Sequence, residues 1–173
     1  GEKEFLKEVR ATAEHTMLLA MMLMRNAVPA VTDVHQKKWR RDLFRGVELF
    51  QKRVGIIGYG RLGEIVAEYF HTFGCEVGFY DIKPQSHPNY IKRFDSLEKC
   101  IEESDIISIH ATYNESTHHL FDKAIFQKIN NKKWLINTSR GGIVDDTELL
   151  KSLQEGKIAG AALDVLYGEP NIQ

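Results

Sequence analysis

Residues 53–81 read RVGIIGYGRLGEIVAEYFHTFGCEVGFYD, and this stretch decides the fold. An apolar run is followed by three closely spaced glycines, then by apolar residues at helical spacing, then by a second apolar run. Gly58 permits a tight turn out of a strand, Gly60 lets the backbone approach a pyrophosphate, and Gly63 lets the next helix pack on the sheet. The stretch therefore predicts a strand, turn, helix and strand, with a dinucleotide phosphate at the amino terminus of the helix.

Asp81 ends the second predicted strand, and it follows Gly63 at close to the spacing of about 20 residues that is typical of a ribose-binding acid. A carboxylate there accepts hydrogen bonds from the adenosine ribose hydroxyls and would repel a 2′-phosphate. A glycine triplet alone also occurs by chance in surface turns, so an ordinary strand-turn-helix is the alternative. Because the strand, the turn, the helix and the acid occur together, we expect NAD as the cofactor.

Composition and length narrow the class of protein. The 173 residues are 43% hydrophobic and 27% charged, which is typical of one soluble globular domain. The net charge of -1 disfavours nucleic acid and anionic membranes as partners. Two cysteines with no metal-ligand spacing predict neither a metal site nor a disulfide framework, and they fit a cytoplasmic location. The longest apolar run, Met17–Met24, is well short of the ~20 residues of a membrane-spanning helix.

After residue 53, short apolar runs alternate with helical patterns, which predicts an α/β protein with a doubly wound Rossmann fold and a mostly parallel sheet of about six strands. We expect strands near 53–58, 76–81, 105–109, 133–137 and 158–164, with a weak one near 91–94, and helices near 61–73, 96–102, 120–128 and 145–155.

The residues before this alternating region predict an apolar helix at about 12–27, whose Met17–Met24 run covers every face and so requires burial on all sides. A basic run, residues 37–41, follows it. A solvated helix face is one interpretation of this run, and a ligand site is the other.

Ligands of doubly wound sheets bind beyond the carboxyl ends of the strands, so the residues that follow each apolar run are candidates. Arg140 follows the fourth principal strand, and its guanidinium could hold the carboxylate of a small 2-hydroxy or 2-keto acid with two parallel hydrogen bonds. The alternative is a surface arginine that is paired with a nearby acid.

Residues 11–170 resemble, nearly end to end, the coenzyme-binding domain of the D-isomer-specific 2-hydroxyacid dehydrogenases, the group that includes D-3-phosphoglycerate dehydrogenase. Five motifs carry the resemblance: Ala13-Glu14-His15 opening an apolar helix that ends at Arg25-Asn26, the glycine motif 54–63, Tyr80-Asp81, Asn137-Thr138-Ser139-Arg140-Gly141-Gly142 with Ile143-Val144-Asp145, and Ala161-Ala162-Leu163-Asp164-Val165 before Glu169-Pro170.

The resemblance implies a role for each matching residue. Arg140 would bind the substrate carboxylate, and Glu169 would orient a catalytic histidine and raise its pKa. Arg61 and Leu62 would contact the pyrophosphate. The cofactor would also be lined, mostly on its nicotinamide side, by His110, Thr112, Thr138, Ser139, Arg140 and Asp164, of which Asp164 would contact the carboxamide. Thr112 departs from the family, which usually has proline there.

The resemblance also implies what lies outside the chain. We expect residues 1–173 to form the NAD-binding domain alone, without the substrate domain and without the family's catalytic histidine, so that the chain binds NAD but turns over no substrate. The remaining histidines, among them His15, match no catalytic position. A homodimer through the Met17–Met24 helix is expected, and glycerate, lactate, glyoxylate and 3-phosphoglycerate are all open as substrates. The alternative function is an NAD-sensing module of the corepressor type.

Overall fold

Six parallel strands form one sheet in the computed structural model, which describes residues 9–170. The strands are β1 (Arg53–Ile57), β2 (Glu76–Tyr80), β3 (Lys92–Arg93), β4 (Ile106–Ile109), β5 (Lys133–Asn137) and β6 (Ile158–Leu163). Their order in the sheet is β3-β2-β1-β4-β5-β6, and every pairing is parallel. The chain therefore winds outward from β1 in both directions, which confirms the predicted doubly wound fold.

Helices cover both faces of the sheet. They are α1 (Ala11–Met24), α2 (Ala27–His35), α3 (Arg61–Thr72), α4 (Leu97–Glu103), α5 (Lys123–Lys128) and α6 (Asp146–Gln154), with short 3-10 helices at Arg41–Phe44 and Gly141–Ile143. Helices α1 and α3 pack on one face in a core with Val54, Ile56 and Phe79. Helices α4, α5 and α6 pack on the other face, in a core with Ile107 and Leu135. Since both faces are covered, the central strands are mostly apolar and all four residues of β4 are buried, whereas the edge strand β3 consists of the exposed Lys92 and Arg93.

Helix α1 buries one stripe rather than every face. Its residues Ala13, Met17, Ala20 and Met24 are buried against the core, whereas Leu18 is 53% exposed. The helix ends at Met24, because Asn26 takes a left-handed backbone conformation with φ of 51° before α2 begins. Within residues 9–170, no single helix has the length and apolar character to cross a membrane. Helices α1 and α2 meet those criteria only as a pair, with a 66° bend between them.

The basic run at residues 37–41 follows α2 and ends at Arg41, the first residue of the 3-10 helix, and it forms no continuous helix face. Its Arg40 forms an ion pair with Asp33, whose side chain is buried. The Arg40 guanidinium lowers the pKa of the Asp33 carboxyl through this hydrogen-bonded contact. The other basic side chains of the run are exposed. Arg40 therefore serves to anchor the end of α2.

Candidate functional site

The turn after β1 contains three glycines, which differ in how much space a side chain would have at each position. Gly58 has φ of +91°, and a Cβ there would lie 2.6 Å from the backbone nitrogen of Ala111. A Cβ on Gly63 would lie 2.1 Å from the carbonyl oxygen of Gly58, so only glycine lets α3 start this close to β1. A Cβ on Gly60 would meet nothing within 4 Å. The first and third glycines are therefore required by the fold, and the middle one borders open space that a ligand can fill.

The amino terminus of α3 faces this open space without a side-chain cap. Its cap residue is Gly60, and the first helical hydrogen bond runs from the Glu64 nitrogen to the Gly60 carbonyl at 2.9 Å. Helices α4, α5 and α6 begin instead with the capping side chains of Ser96, Asp122 and Asp145. Because the first amides of a helix have no intrahelical partner, the uncapped end of α3 suits an anion such as a pyrophosphate.

The Asp81 carboxylate is fixed beside the same turn. Its Oδ2 accepts a hydrogen bond from the Tyr59 backbone nitrogen at 2.8 Å, and its Oδ1 accepts one from the Lys83 backbone nitrogen at 2.8 Å. Each oxygen of a carboxylate has a second lone pair, so both can still accept a hydroxyl proton. The carboxylate is thus fixed beside the turn and keeps the capacity to accept further hydrogen bonds.

Two residues at the start of α3 were expected to contact the pyrophosphate. The Leu62 side chain is half-buried against the core on the α1 side of the sheet. The Arg61 guanidinium is exposed and donates a hydrogen bond from Nη1 to the Val9 carbonyl oxygen at 3.0 Å. Their backbone amides, at the uncapped end of the helix, are therefore better placed for a phosphate than their side chains.

The loop after β4 contributes a half-buried histidine, His110. The backbone nitrogen of His110 donates to the Ile57 carbonyl oxygen at 2.7 Å, and the ring Nε2 of His110 lies 2.8 Å from the Ser108 hydroxyl oxygen. Its Nδ1 is buried and has no hydrogen-bond partner within the described residues. Burial lowers the pKa of His110 to about 3, so the ring is uncharged at neutral pH. Thr112 is exposed nearby, and its carbonyl accepts a hydrogen bond from the Thr117 hydroxyl at 2.8 Å.

A hydrogen-bonded turn after β5 holds Arg140. The Asn137 side chain accepts from the Ser139 nitrogen at 3.0 Å and donates to the Arg140 carbonyl at 3.1 Å. The Ser139 hydroxyl donates to the Ala111 carbonyl at 2.5 Å, which ties this turn to the loop after β4. The Arg140 guanidinium is exposed and donates to the Ser139 carbonyl at 2.7 Å. It pairs with no carboxylate among residues 9–170, so its charge is available to an anionic ligand.

Helix α1 supplies two contacts that the sequence did not predict. Thr138, which was expected to line the nicotinamide side, is buried, and its hydroxyl lies 2.9 Å from the Thr16 hydroxyl. Asp164, at the end of β6, is bonded through Oδ1 to the His15 Nε2 at 3.1 Å. The Ala13-Glu14-His15 motif marks His15 in the sequence. Each contact joins residues more than a hundred positions apart, so the motif does not identify the partners.

Glu169 and Arg140 lie in neighbouring backbone segments but form no ion pair with each other. A Cβ on Gly141 would be 2.1 Å from the backbone of Leu166, so the two segments pack directly together. The Glu169 side chain is exposed, and its Oε2 accepts a hydrogen bond from the Leu166 nitrogen at 3.1 Å. The described structure thus places both side chains at the same edge of the sheet without joining them.

Other features offer weaker candidate sites. A cleft of about 350 Å³ lies at the amino-terminal ends of β1 and β2, away from Asp81, and its Arg53 and Lys92 already pair with Asp105 and Glu103. Among residues 9–170, no group of three or more His, Cys, Asp and Glu side chains is arranged to hold a metal ion. The residues at the carboxyl ends of the strands therefore remain the best-supported site.

Known proteins resemble this chain in both sequence and fold. The family model described as D-isomer specific 2-hydroxyacid dehydrogenase, NAD binding domain, matches residues 17–173. A D-specific alpha-keto acid dehydrogenase of Enterococcus faecium is 39% identical over 92% of this chain and 48% of its own length. A D-3-phosphoglycerate dehydrogenase of Bacillus subtilis is 36% identical over 94% of this chain and 31% of its own length. The chain thus spans about half or less of these relatives.

Solved structures show the same likeness. A D-lactate dehydrogenase from Aquifex aeolicus, complexed with NAD and lactic acid, has a TM-score of 0.84 and 31% identity over 91% of this chain and 48% of its own. An NAD-dependent formate dehydrogenase from Staphylococcus aureus, in complex with NAD, has a TM-score of 0.87 and 31% identity over 93% of this chain and 49% of its own.

Proposed function

The chain belongs to the D-isomer-specific 2-hydroxyacid dehydrogenase family, as an NAD-binding domain, and we propose that it serves an enzyme that interconverts a D-2-hydroxy acid and a 2-keto acid. The observation that carries the cofactor assignment is the pairing of a fixed Asp81 carboxylate with the open turn at Gly60. NAD, when bound, accepts or supplies the hydride. The residues of this chain hold and orient the cofactor and the substrate.

The adenosine half of the cofactor fits the residues present. Asp81 would accept hydrogen bonds from the ribose hydroxyls, and the free amides at the start of α3 would bind the pyrophosphate in front of Gly60. Arg61 and Leu62 contribute to this region chiefly through their backbone. Since Gly60 borders open space, the phosphates can approach the chain as closely as the motif requires.

The nicotinamide half would lie beyond β4, β5 and β6. Here the lining residues that we propose are His110, Thr112, Thr138, Ser139 and Asp164. The uncharged His110 ring adds no positive charge beside the nicotinamide. Because the Thr138 hydroxyl is bonded to Thr16, we assign Thr138 a part in shaping the pocket wall.

Arg140 is the proposed substrate-binding residue. Its exposed guanidinium has no carboxylate partner in the described range and can bind the carboxylate of a 2-hydroxy or 2-keto acid in a bidentate manner. Glu169, on the adjoining segment, would orient the general acid or base of the complete enzyme. The relatives compared above are named as dehydrogenases, which favours this function over an NAD-sensing corepressor module.

The first prediction is that the 173-residue chain binds NAD at one site and prefers it to NADP by about 100-fold. The reason is that a 2′-phosphate placed against the Asp81 carboxylate sets like charges together, at a cost of several kcal/mol. Calorimetric titration with NAD, NADP and ADP-ribose measures this preference directly. Absence of NAD binding, or tighter binding of NADP, would contradict the proposed function.

We further propose that the protein forms a homodimer through the surface of α1 and α2. Val28, Val31 and Val34 recur every third residue on α2 and are each more than half exposed, as is Leu18 on α1. Exposed apolar clusters of this kind are typical of protein interfaces. The dimer contact expected through the Met17–Met24 helix is thereby extended to α2, since Met17, Ala20 and Met24 are buried within the protomer.

The second prediction concerns this surface. The wild-type chain should have twice the mass of one chain by light scattering at micromolar concentration, and Val31→Asp should convert it to a monomer, because the charge would be buried without a partner. The control is Leu150→Asp, since Leu150 is 57% exposed on α6. A monomeric wild type, or a dimer that survives Val31→Asp, would contradict the proposal.

We propose that residues 1–173 form one domain and that the protein is located in the cytoplasm. We propose neither a membrane nor a nucleic acid as a partner. Cys75 and Cys100 are free and buried, and burial raises the pKa of their thiols to about 11 and about 12. Both are therefore protonated and unreactive at neutral pH, which suits a reducing compartment.

A further inference from the structure

Two adjacent residues of α1 reach the ends of two different strands. The His15 Nε2 lies 3.1 Å from Asp164 Oδ1, and the Thr16 hydroxyl lies 2.9 Å from that of Thr138. A carboxylate can only accept hydrogen bonds, so His15 must donate from Nε2. The first turns of α1 are thereby fixed to the carboxyl edge of the sheet at β5 and β6.

The directions of the threonine hydrogen bonds can also be assigned. The Thr16 hydroxyl donates to the Thr12 carbonyl oxygen at 2.8 Å, which uses its only proton. The Thr138 hydroxyl must therefore donate to Thr16. This buried contact locks the end of β5 to α1, whereas the His15 contact is partly exposed and acts on the end of β6.

The His15 contact leaves half of the Asp164 carboxylate unoccupied. The backbone of Asp164 is held by its nitrogen, which donates to the Asn137 carbonyl at 3.0 Å. Oδ1 is bonded to His15, while Oδ2 accepts no hydrogen bond from residues 9–170. The side chain is 46% exposed, so without His15 it would rotate freely in solvent. Oδ2, which is held in place by the His15 contact and has no partner in the described structure, can accept a hydrogen bond from an amide N–H₂ group.

We propose that His15 is a positioning residue for the cofactor: it holds the Asp164 carboxylate so that Oδ2 faces the nicotinamide carboxamide and accepts its N–H. This inference rests on the proposed function, in which NAD occupies the ends of these strands. A carboxylate that is oriented before the ligand arrives loses less freedom on binding, and this raises affinity. A structural role for His15 in packing α1 would have no such selectivity for one end of the cofactor.

The third prediction separates these roles by comparing NAD with ADP-ribose, which lacks nicotinamide. His15→Ala should weaken NAD binding about fivefold through loss of preorganisation and change ADP-ribose binding less than about twofold. His15→Gln, whose amide can replace the donor, should stay within about twofold of the wild type for both ligands. Calorimetric titration of the wild type and both variants with the two ligands gives the six affinities, and thermal melting checks that the variants fold.

Two further variants make the test decisive. His35→Ala removes an exposed histidine on α2 and should leave both affinities unchanged. Combining His15→Ala with Asp164→Asn should weaken NAD binding no more than Asp164→Asn alone, because both act through one contact.

The role of His15 would be overturned if His15→Ala weakened the binding of NAD and ADP-ribose equally, if it weakened the binding of neither, or if the losses in the double variant were additive. In each of these cases, NAD binding by the wild type would still uphold the proposed function. A wild type that binds neither ligand would overturn both.

Discussion

Gly63→Ala is expected to destabilise the domain by about 3 kcal/mol and to abolish measurable NAD binding. The added Cβ would lie 2.1 Å from the Gly58 carbonyl oxygen, an approach that real Cβ atoms do not make. Both atoms belong to rigid backbone, since one is in α3 and the other is at the end of β1. The helix must therefore move away from the sheet, and its amino terminus then leaves the position where a phosphate would bind.

The matched variant Gly60→Ala should have the opposite profile. A Cβ on Gly60 meets nothing within 4 Å, and its φ of -87° and ψ of -166° suit alanine. Replacing a glycine helix cap by alanine costs less than about 1 kcal/mol. The methyl group would occupy the space in front of α3, so NAD should bind at least about 30-fold more weakly, which corresponds to an overpacking cost of about 2 kcal/mol.

Thermal melting and calorimetry of the two variants give four measurements with a distinct pattern. Gly63→Ala should lower the melting temperature by about 10 °C, whereas Gly60→Ala should lower it by no more than about 4 °C. If Gly60→Ala binds NAD as the wild type does, the open space in front of Gly60 is not the pyrophosphate site. If Gly63→Ala is as stable as the wild type, the steric argument for that glycine is wrong.

The glycine turn could be predicted from the sequence because its requirements are local. Gly58, Gly63 and Asp81 act within one strand-turn-helix-strand unit, and the spacing of residues along the chain fixes their positions. The sheet was also predictable, since buried parallel strands are mostly apolar, and Ile106–Ile109 and Lys133–Asn137 lie where the pattern placed strands.

The polar contacts of the site could not be predicted in the same way. His15 and Asp164 are separated by 149 positions, and the Ala13-Glu14-His15 motif marks His15 without identifying Asp164 as its partner. Thr138 lies just past β5, where the alternation of side chains between the two faces ends, so the sequence could not show that its hydroxyl faces Thr16. The end of α1 at Met24 depends on the left-handed conformation of Asn26, which an apolar helical pattern does not reveal.

Asp81→Asn is expected to weaken NAD binding by about 100-fold and to remove the preference over NADP. Asparagine keeps the shape of the side chain and one oxygen, which can still accept from the Tyr59 nitrogen, while the Lys83 nitrogen in its exposed loop loses its acceptor; the turn at Tyr59 should therefore persist. It loses the negative charge, and hydrogen bonds to a charged group are worth about 1.5–3 kcal/mol against about 1 for neutral ones. With two ribose hydroxyls involved, the loss of about 3 kcal/mol corresponds to that factor.

The same substitution should not weaken NADP binding, because the repulsion between the carboxylate and the 2′-phosphate disappears together with the favourable charge. The ratio of the two affinities is therefore more informative than either affinity alone, since a general loss of stability would lower both. Asp95→Asn is the matched control: its carboxylate is 90% exposed and only pairs loosely with Lys99 at 3.8 Å. An unchanged ratio in Asp81→Asn would show that another group selects the cofactor, and the role of the Asp81 carboxylate would then be limited to holding Tyr59 and Lys83 in the turn.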